Sequence, residues 1–368
     1  MRRTLLSLLT LLLLMPSAAQ ASHTSSGTWF PFEPMGSPRA FHSSTLLADG
    51  AVLVAGGQSS FYRTLDTAEI YDPETDDWTP TGSMSSARAF HGAVRLQDGR
   101  VLVHDDAGAA ELYDPEDGAW TPTGSLHEGR TTSTTTLLSD GRVLVVGTSS
   151  GPLDLGEEPP ADSEPGPATA ETYDPQTGVW TPAATSAVAR DLVFTATLLR
   201  DGRVLVAGGG TRAAEIYDPQ TDTWMPTADL SDARGGHVAV RLDDGRVLVA
   251  GGAGDSGNLA TVEIYDPETG RWQSAPSMRS PRLNGKAVLL DDGRVLVAAG
   301  EHGSRLTTGE IYDPGSGIWT PAGPMTAARW GEAFTLMEDT RVLATGGLQG
   351  LGPDDVLAST EVFARNTT

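Results

Sequence analysis

The chain has 368 residues, no cysteine and a formal net charge of −23, with Lys286 as its one lysine. The lack of cysteine excludes disulfides and thiol-linked lipid, so stability has to come from packing, which a chain of this length can supply. Such an acidic protein is also a poor partner for nucleic acid or anionic lipid, because both repel negative charge. Proteins, glycans and small molecules remain as partners.

The first 21 residues have the pattern of a secretory signal peptide. Arg2 and Arg3 form a basic start, Leu5 to Met15 an apolar stretch, and Ala19 to Ala21 a small-residue cleavage site. The apolar stretch is shorter than the ~20 residues that span a bilayer. We therefore predict cleavage after Ala21 and a secreted or periplasmic protein with no membrane span. The alternative is an uncleaved anchor.

From Trp29 onward the sequence repeats seven times. Each copy holds four short runs of β-branched and aliphatic residues bounded by Gly, Asp or Pro, which is typical of strands joined by turns. The repeated tryptophans are Trp29, Trp78, Trp120, Trp180, Trp224, Trp272 and Trp319. Ten residues after each comes an arginine, namely Arg39, Arg88, Arg130, Arg190, Arg234, Arg282 and Arg329. Two residues before a tyrosine, or before Phe363 in the last copy, comes a glutamate, namely Glu69, Glu111, Glu171, Glu215, Glu263, Glu310 and Glu361.

These landmarks resemble the kelch motif, whose period is about 50 residues. The resemblance depends on the Glu-x-Tyr, the tryptophan and a double glycine after the second strand, as at Gly56–Gly57 and Gly251–Gly252. The repeats look most like those of the galactose oxidase and glyoxal oxidase propellers. Kelch proteins fold as β-propellers with one four-stranded blade per repeat. The resemblance implies an all-β, seven-bladed propeller of antiparallel strands over residues 22–368.

The two ends of the repeat region predict how the ring closes. The last copy stops after its third strand, near Arg365, whereas the first begins with a tryptophan strand that has nothing before it. We expect residues 27–31, which include Trp29, to supply the fourth strand of the last blade and leave no long free edge. The alternative is an open array with a frayed N-terminal arm.

Length variation between copies is confined to the connection between strands two and three. It is short at residues 107–110 and 210–214 and longest at 148–168, an acidic, proline-rich insert that we expect to be a solvated flexible loop. In an up-and-down blade this connection lies on the same face as the approach to strand one. Because recognition usually depends on variable loops held by a rigid scaffold, we predict that this face is the contact surface.

The repeated arginines are candidate binding residues. Four of them follow a methionine by four residues, as in Met35–Arg39 and Met84–Arg88. This pattern is similar to that of kelch adaptors, in which some arginines line the channel mouth and bind acidic peptides. The resemblance makes Arg39, Arg88 and Arg234 candidates, since a guanidinium pairs bidentately with a carboxylate. The matching sevenfold glutamate favours the alternative of a structural ion pair in every blade.

Histidines provide a second group of candidates. His42, His91 and His237 lie three residues after the arginines of copies one, two and five. Three histidines around a channel raise the possibility of zinc, but these copies are not consecutive in the ring and are not expected to converge. Copy two also replaces Ala-Gly-Gly by His104-Asp105-Asp106, which indicates either a metal or sugar site or a degenerate blade. We predict no metal and no cofactor, and we take as candidate binding residues His91, His104, Asp105, Asp106 and His237.

The resemblance to galactose oxidase would imply a copper site of two tyrosines and two histidines, with one tyrosine crosslinked to cysteine. This chain has no cysteine, and six of its seven tyrosines occupy the repeat position, leaving Tyr62. We therefore exclude copper-radical oxidase activity.

We predict an exported, monomeric binding module that recognises an extracellular protein or glycan. One alternative is a carbohydrate-active enzyme resembling kelch-type sialic-acid mutarotases, with an arginine and a glutamate or histidine near the channel. The other is a structural component of an envelope or matrix assembly.

Overall fold

A computed structural model describes residues 27–60, 63–130, 132–148, 167–350, 352 and 355–365. The predicted signal peptide with its cleavage site, Tyr62 and residues 149–166 of the insert lie outside the described residues. No helix in the described part of the chain has the length and apolarity needed to cross a membrane.

The described residues form seven four-stranded antiparallel sheets, which are the blades of a propeller. Strand one of each blade contacts strand one of both neighbouring blades, so these seven strands close a ring around the central channel. The first strands are Ser43–Leu46, Gly92–Arg95, Thr132–Leu137, Phe194–Leu198, Val238–Arg241, Lys286–Leu289 and Ala333–Leu336. The second strands are Val52–Ala55, Val101–His104, Val143–Thr148, Val204–Gly208, Val247–Ala250, Val295–Ala298 and Val342–Thr345. The predicted fold class is confirmed.

The outer half of each blade contains the Glu-x-Tyr and the tryptophan. The third strands are Ala68–Asp72, Ala110–Asp114, Ala168–Asp174, Ala214–Asp218, Val262–Asp266, Gly309–Asp313 and Thr360–Arg365. The fourth strands, with blade seven last, are Asp77–Pro80, Ala119–Pro122, Val179–Ala183, Thr223–Pro226, Arg271–Ala275, Ile318–Ala322 and Gly27–Phe32. Three small hairpins extend the loops after strand two, at Gln58–Ser60 with Arg63–Thr64, Ala253–Gly254 with Gly257–Asn258, and Glu301–His302 with Ser304–Arg305.

The apolar run of strand two exists because both of its faces are covered by neighbouring blades. All four residues of Val52–Ala55 and all four of Val247–Ala250 are buried. A strand buried on both faces reads as a continuous apolar run instead of an alternating one. The hydrophobic core is therefore divided among the interfaces between blades.

The N-terminal strand closes the ring as predicted. Gly27–Phe32 pairs antiparallel with Thr360–Arg365, and Trp29 lies opposite Phe363. The Trp29 side chain is buried and packs against Phe334 and Phe363, with ring centroids 5.4 and 5.2 Å away. First and last residues of the repeat region thus share one blade.

In four blades a double glycine after strand two ties the blade to the next. The backbone N–H of Gly57 donates to the carbonyl of Arg88 in the following blade at 2.8 Å, and Gly252 does the same to Arg282. Gly56 has a φ of +64°, and a Cβ there would lie 2.5 Å from the Arg88 carbonyl oxygen. A larger residue at Gly56 would clash with this carbonyl oxygen, whereas blade six has Ala299 at the matching position with a φ of +57°.

The loops after strand two and the approaches to strand one lie on one face, as predicted. Isolated bridges join Ala40 to Gln58 in blade one and Leu283 to Glu301 in blade six. We call this side of the propeller the loop face.

Candidate functional site

Each repeated arginine is paired with the glutamate of its own blade. The Arg39 guanidinium donates to Glu69 at 2.6 Å and to the carbonyls of Gly56 and Thr67 at 2.9 Å. Glu69 also accepts hydrogen bonds from backbone N–H groups just before Arg39. The same pairing holds in the other six blades, as Arg88–Glu111, Arg130–Glu171, Arg190–Glu215, Arg234–Glu263, Arg282–Glu310 and Arg329–Glu361.

This pairing decides where the candidate binding arginines lie. The side chains of Arg39, Arg88 and Arg234 are at most 1% exposed. A ligand would reach them only by displacing bonds that hold the blade together. The geometry therefore matches the structural alternative at all seven positions.

The repeated tryptophans join neighbouring blades. The indole N–H of Trp120 donates to the carbonyl of Gly82 at 2.8 Å, and its ring lies 5.0 Å from that of Tyr113 in its own blade. Five other tryptophans donate to a preceding loop in the same way, namely Trp78, Trp180, Trp224, Trp272 and Trp319. These contacts between blades explain why the tryptophan recurs, and no ligand-binding role is needed to explain it.

The candidate histidines also lie between blades. His91 Nε2 is 2.9 Å from the Ser43 hydroxyl, and His237 Nε2 is 2.9 Å from that of Thr195. Burial, with help from Arg88 beside the first, lowers the pKa of both imidazoles to about 3. They are therefore neutral hydrogen-bonding groups at physiological pH.

His104, Asp105 and Asp106 point to different places. His104 is buried and bonds to Thr135 of the next blade at 2.7 Å, and burial lowers its pKa to about 4. Asp105 accepts from the N–H of Ala109 within its own turn, and Asp106 is exposed. The three side chains do not form one site, which favours the degenerate-blade alternative.

The mouth of the channel on the loop face holds a cavity of about 250 Å³. Six of the seven blades contribute to it, each at or just before its first strand. The lining residues are Phe41, His42, Phe90, His91, Thr132, Ser133, Thr134, Val193, Phe194, Lys286, Gly331 and Glu332. Of the candidate binding residues, only His91 lines this cavity.

Two phenylalanines at the rim have unusual backbone geometry. Phe41 and Phe90 both have a φ of 56°, a left-handed conformation that costs a non-glycine residue ~1–2 kcal/mol. Their backbones link the blades, because Phe41 N–H donates to Gly331 and Phe90 N–H to Phe41. In three other blades the same position is Gly236, Asn284 or Gly331, and glycine and asparagine adopt this conformation readily.

The backbone conformation therefore does not explain why phenylalanine occupies these two positions. The Phe41 and Phe90 rings stack with centroids 4.1 Å apart, and Trp330 meets Phe41 edge-on at 5.0 Å. The side chain of Phe90 is 64% exposed. The strained backbone of Phe41 and Phe90 thus coincides with an aromatic surface at the channel mouth. Strained residues often occur at binding sites.

Sequence reasoning missed Glu332 and Lys286. Glu332 is buried, lines the cavity, and has no hydrogen-bond partner for either carboxylate oxygen within the described residues. Burial raises the pKa of this carboxyl, although Lys286 and Arg329 oppose the shift. A signal was present, because Glu332 occupies the position of His42, His91 and His237, and Lys286 is the one lysine.

A second cavity, of about 630 Å³, lies on the opposite face between blades four and five. Two of its arginines are paired within their own turns, Arg203 with Asp201 and Arg246 with Asp244. These pairs belong to the turns between strands one and two. The channel mouth is therefore the better candidate site.

Three segments of the chain, residues 39–85, 234–279 and 282–326, match the kelch motif. No curated protein matches the chain. Among solved structures, the chain is similar to a fungal alcohol oxidase of the AA5 family in complex with copper. The TM-score is 0.77 at 20% identity, over 93% of this chain and 77% of that one. At this identity the likeness shows the shared fold.

The residues here do not fit a copper-radical site. The chain has no cysteine. Five of the six repeat tyrosines have a side-chain hydrogen bond within or between the blades, as when Tyr71 donates to Asp76 at 2.8 Å. Across the part of the chain that is described, no three His, Cys, Asp or Glu side chains are grouped to hold a metal.

Proposed function

Because this chain is a seven-bladed propeller built from kelch repeats, we propose that it is an exported binding module whose ligand contacts the channel mouth on the loop face. The observation that carries this proposal is the mouth cavity itself. It combines strained, exposed aromatic rings with a buried carboxyl that has no partner among the described residues. A concave site with a few convergent polar groups is the usual form of a ligand site.

A protein or a glycan outside the cell remains the proposed partner. The enzyme alternative called for an arginine and a glutamate or histidine near the channel. The ion pairs described above occupy all seven repeated arginines, although Glu332, His42 and His91 line the mouth. Binding is therefore better supported than catalysis.

An array of glycans and secreted proteins, probed with residues 22–368, tests the proposal. Phe90→Asn keeps a residue that tolerates the left-handed backbone but removes the aromatic surface. Met225→Ser, on an outer strand where the side chain is 42% exposed, is the matched control. We expect the first variant to lose roughly tenfold or more in affinity and the second to bind like the parent. Equal binding by both variants would exclude the channel mouth as the contact surface.

A further inference from the structure

The cavity at the channel mouth contains one basic side chain that forms no ion pair within the described structure, although its charge acts on the buried Glu332 carboxyl of the same wall. Lys286 begins the first strand of blade six and is only partly exposed. No carboxylate among the described residues lies within 4.0 Å of its amine, whereas the repeated arginines all have such a partner. In a protein with a net charge of −23, an unpaired cation in a cavity is complementary to an anionic ligand.

The other polar groups of the wall are suited to hydroxyl groups. His42 and His91 are hydrogen-bonded through Nε2 to Thr345 and Ser43, which leaves the buried Nδ1 of each without a partner among the described residues, and burial keeps the pKa of both imidazoles low. Burial also raises the pKa of the Glu332 carboxyl, neither oxygen of which has a partner among the described residues. Neutral donors and acceptors recognise neutral polar groups without the cost of burying further charge.

The opposite wall adds hydroxyls and an aromatic surface. Thr132, Ser133 and Thr134 follow one another in blade three, and the Ser133 side chain is exposed. One face of the Phe90 ring is covered by Phe41, while the residue is still 64% exposed. An aromatic face packs well against a flat C–H surface, and the hydroxyls can bond to the polar edge of the same ligand.

The volume of the cavity matches one small ring. The cavity measures about 250 Å³, below the ~300–1,000 Å³ of sites that hold drug-sized molecules. The ligand is thus small, rich in hydroxyls, apolar on one face and singly anionic.

We propose that the mouth cavity binds a sugar acid of the uronic acid class, with its carboxylate on Lys286 and its ring against Phe90. This inference rests on the proposed function, since it names the ligand class for the same contact surface. The ligand can be a free monosaccharide or the end of an acidic polysaccharide, which share this chemistry.

Calorimetric titration of residues 22–368 tests the inference with three probes, D-galacturonate, trigalacturonate and neutral D-galactose. We expect both acids to bind, and galactose to bind roughly tenfold or more weakly, because it has no group for the lysine. Stronger binding of the trimer than of the monomer would identify a polysaccharide end as the source, and equal binding a free sugar acid. Equal affinity for galactose and galacturonate would overturn the inference.

Two variants distinguish a specific contact with Lys286 from an effect of the protein's net charge. Lys286→Met is expected to lower the affinity for galacturonate roughly tenfold. Arg271→Met makes the same change of charge on an exposed outer strand and is expected to leave that affinity unchanged. An equal loss in both variants would show that bulk charge, and not this site, binds the acid. Thermal unfolding of each variant verifies that it is folded.

The unmodified sequence offers a second measurement. Since Lys286 is the one lysine, reductive methylation with ¹³C-formaldehyde places a single side-chain label beside the N-terminal one. We expect the Lys286 signal to shift with galacturonate and not with galactose. An unmoved signal at saturating galacturonate would overturn the inference. A shift with a glutamate-containing peptide but not with galacturonate would also overturn it, while leaving the channel mouth as a protein-binding surface. If no probe moves the signal and the array finds no ligand that depends on Phe90, the proposed function fails as well.

Discussion

At the scale of single residues, the most repeated feature is a buried ion pair. Arg234 donates to Glu263 at 2.8 Å and to the carbonyls of Gly251 and Thr261, and its side chain is fully buried. A buried pair of this kind contributes modestly as a pair, because desolvation offsets its attraction. Removing one member is far more costly, since the other charge stays buried alone.

We therefore expect Arg234→Met to lower the free energy of unfolding by about 3–5 kcal/mol. The double variant Arg234→Met, Glu263→Leu should recover part of that loss, because it leaves no unpaired charge. Urea denaturation of the two variants and the parent measures the difference. A single variant that costs less than about 1 kcal/mol would contradict the structural role of the pair.

At the scale of elements, the N-terminal strand closes the ring. Trp29 is 4% exposed and lies between Phe334 and Phe363, so its burial joins the first and last parts of the repeat region. Without this contact the last blade would present a long unpaired edge.

Trp29→Ala is expected to cost about 3–5 kcal/mol, the usual cost of deleting a buried aromatic side chain. Phe30→Ala, one residue away in the same strand with its side chain 48% exposed, should cost less than about 0.5 kcal/mol. Denaturation curves give both values, and hydrogen exchange should show faster opening of Thr360–Arg365 in the first variant alone. Similar losses in the two variants would argue against closure through Trp29.

At the scale of the whole molecule, neutral histidines join neighbouring blades around the channel. His237 bonds to Thr195 of the preceding blade, and burial lowers its pKa from 6.5 to about 3. Between these values the unfolded chain binds a proton that the folded chain does not. The contribution of His237 to the free energy of unfolding is therefore fully present above pH 6.5 and is lost as the pH falls toward 3.

We expect His237→Gln to remove part of this acid sensitivity. For one such group, each pH unit between 6.5 and about 3 changes the free energy of unfolding by about 1.4 kcal/mol. The measurement is the urea midpoint between pH 7.5 and 5 for the parent, His237→Gln and the exposed control His302→Gln. A parent and His237→Gln with parallel pH profiles would show that this histidine does not couple the ring to pH.

The sequence alone determined the architecture of this protein. The strand pattern, the repeated glutamate and the tryptophan recur because each blade needs the same contacts, so the repeat predicted seven blades and closure through Trp29. Local repetition also favoured the Arg–Glu pairs, since both partners lie in one copy. It likewise located the loop face, because the length variation falls on a single connection.

The tertiary structure alone decided the candidate site. The mouth cavity takes one to three residues from each of six blades, so Phe41 and Glu332 line the same cavity although they are far apart in sequence. The backbone just before each first strand determines which side chains lie at the channel mouth, and at Phe41 and Phe90 this backbone has a left-handed conformation. The repeat pattern contains the residues that all blades share, whereas the channel mouth is lined by residues that differ from blade to blade.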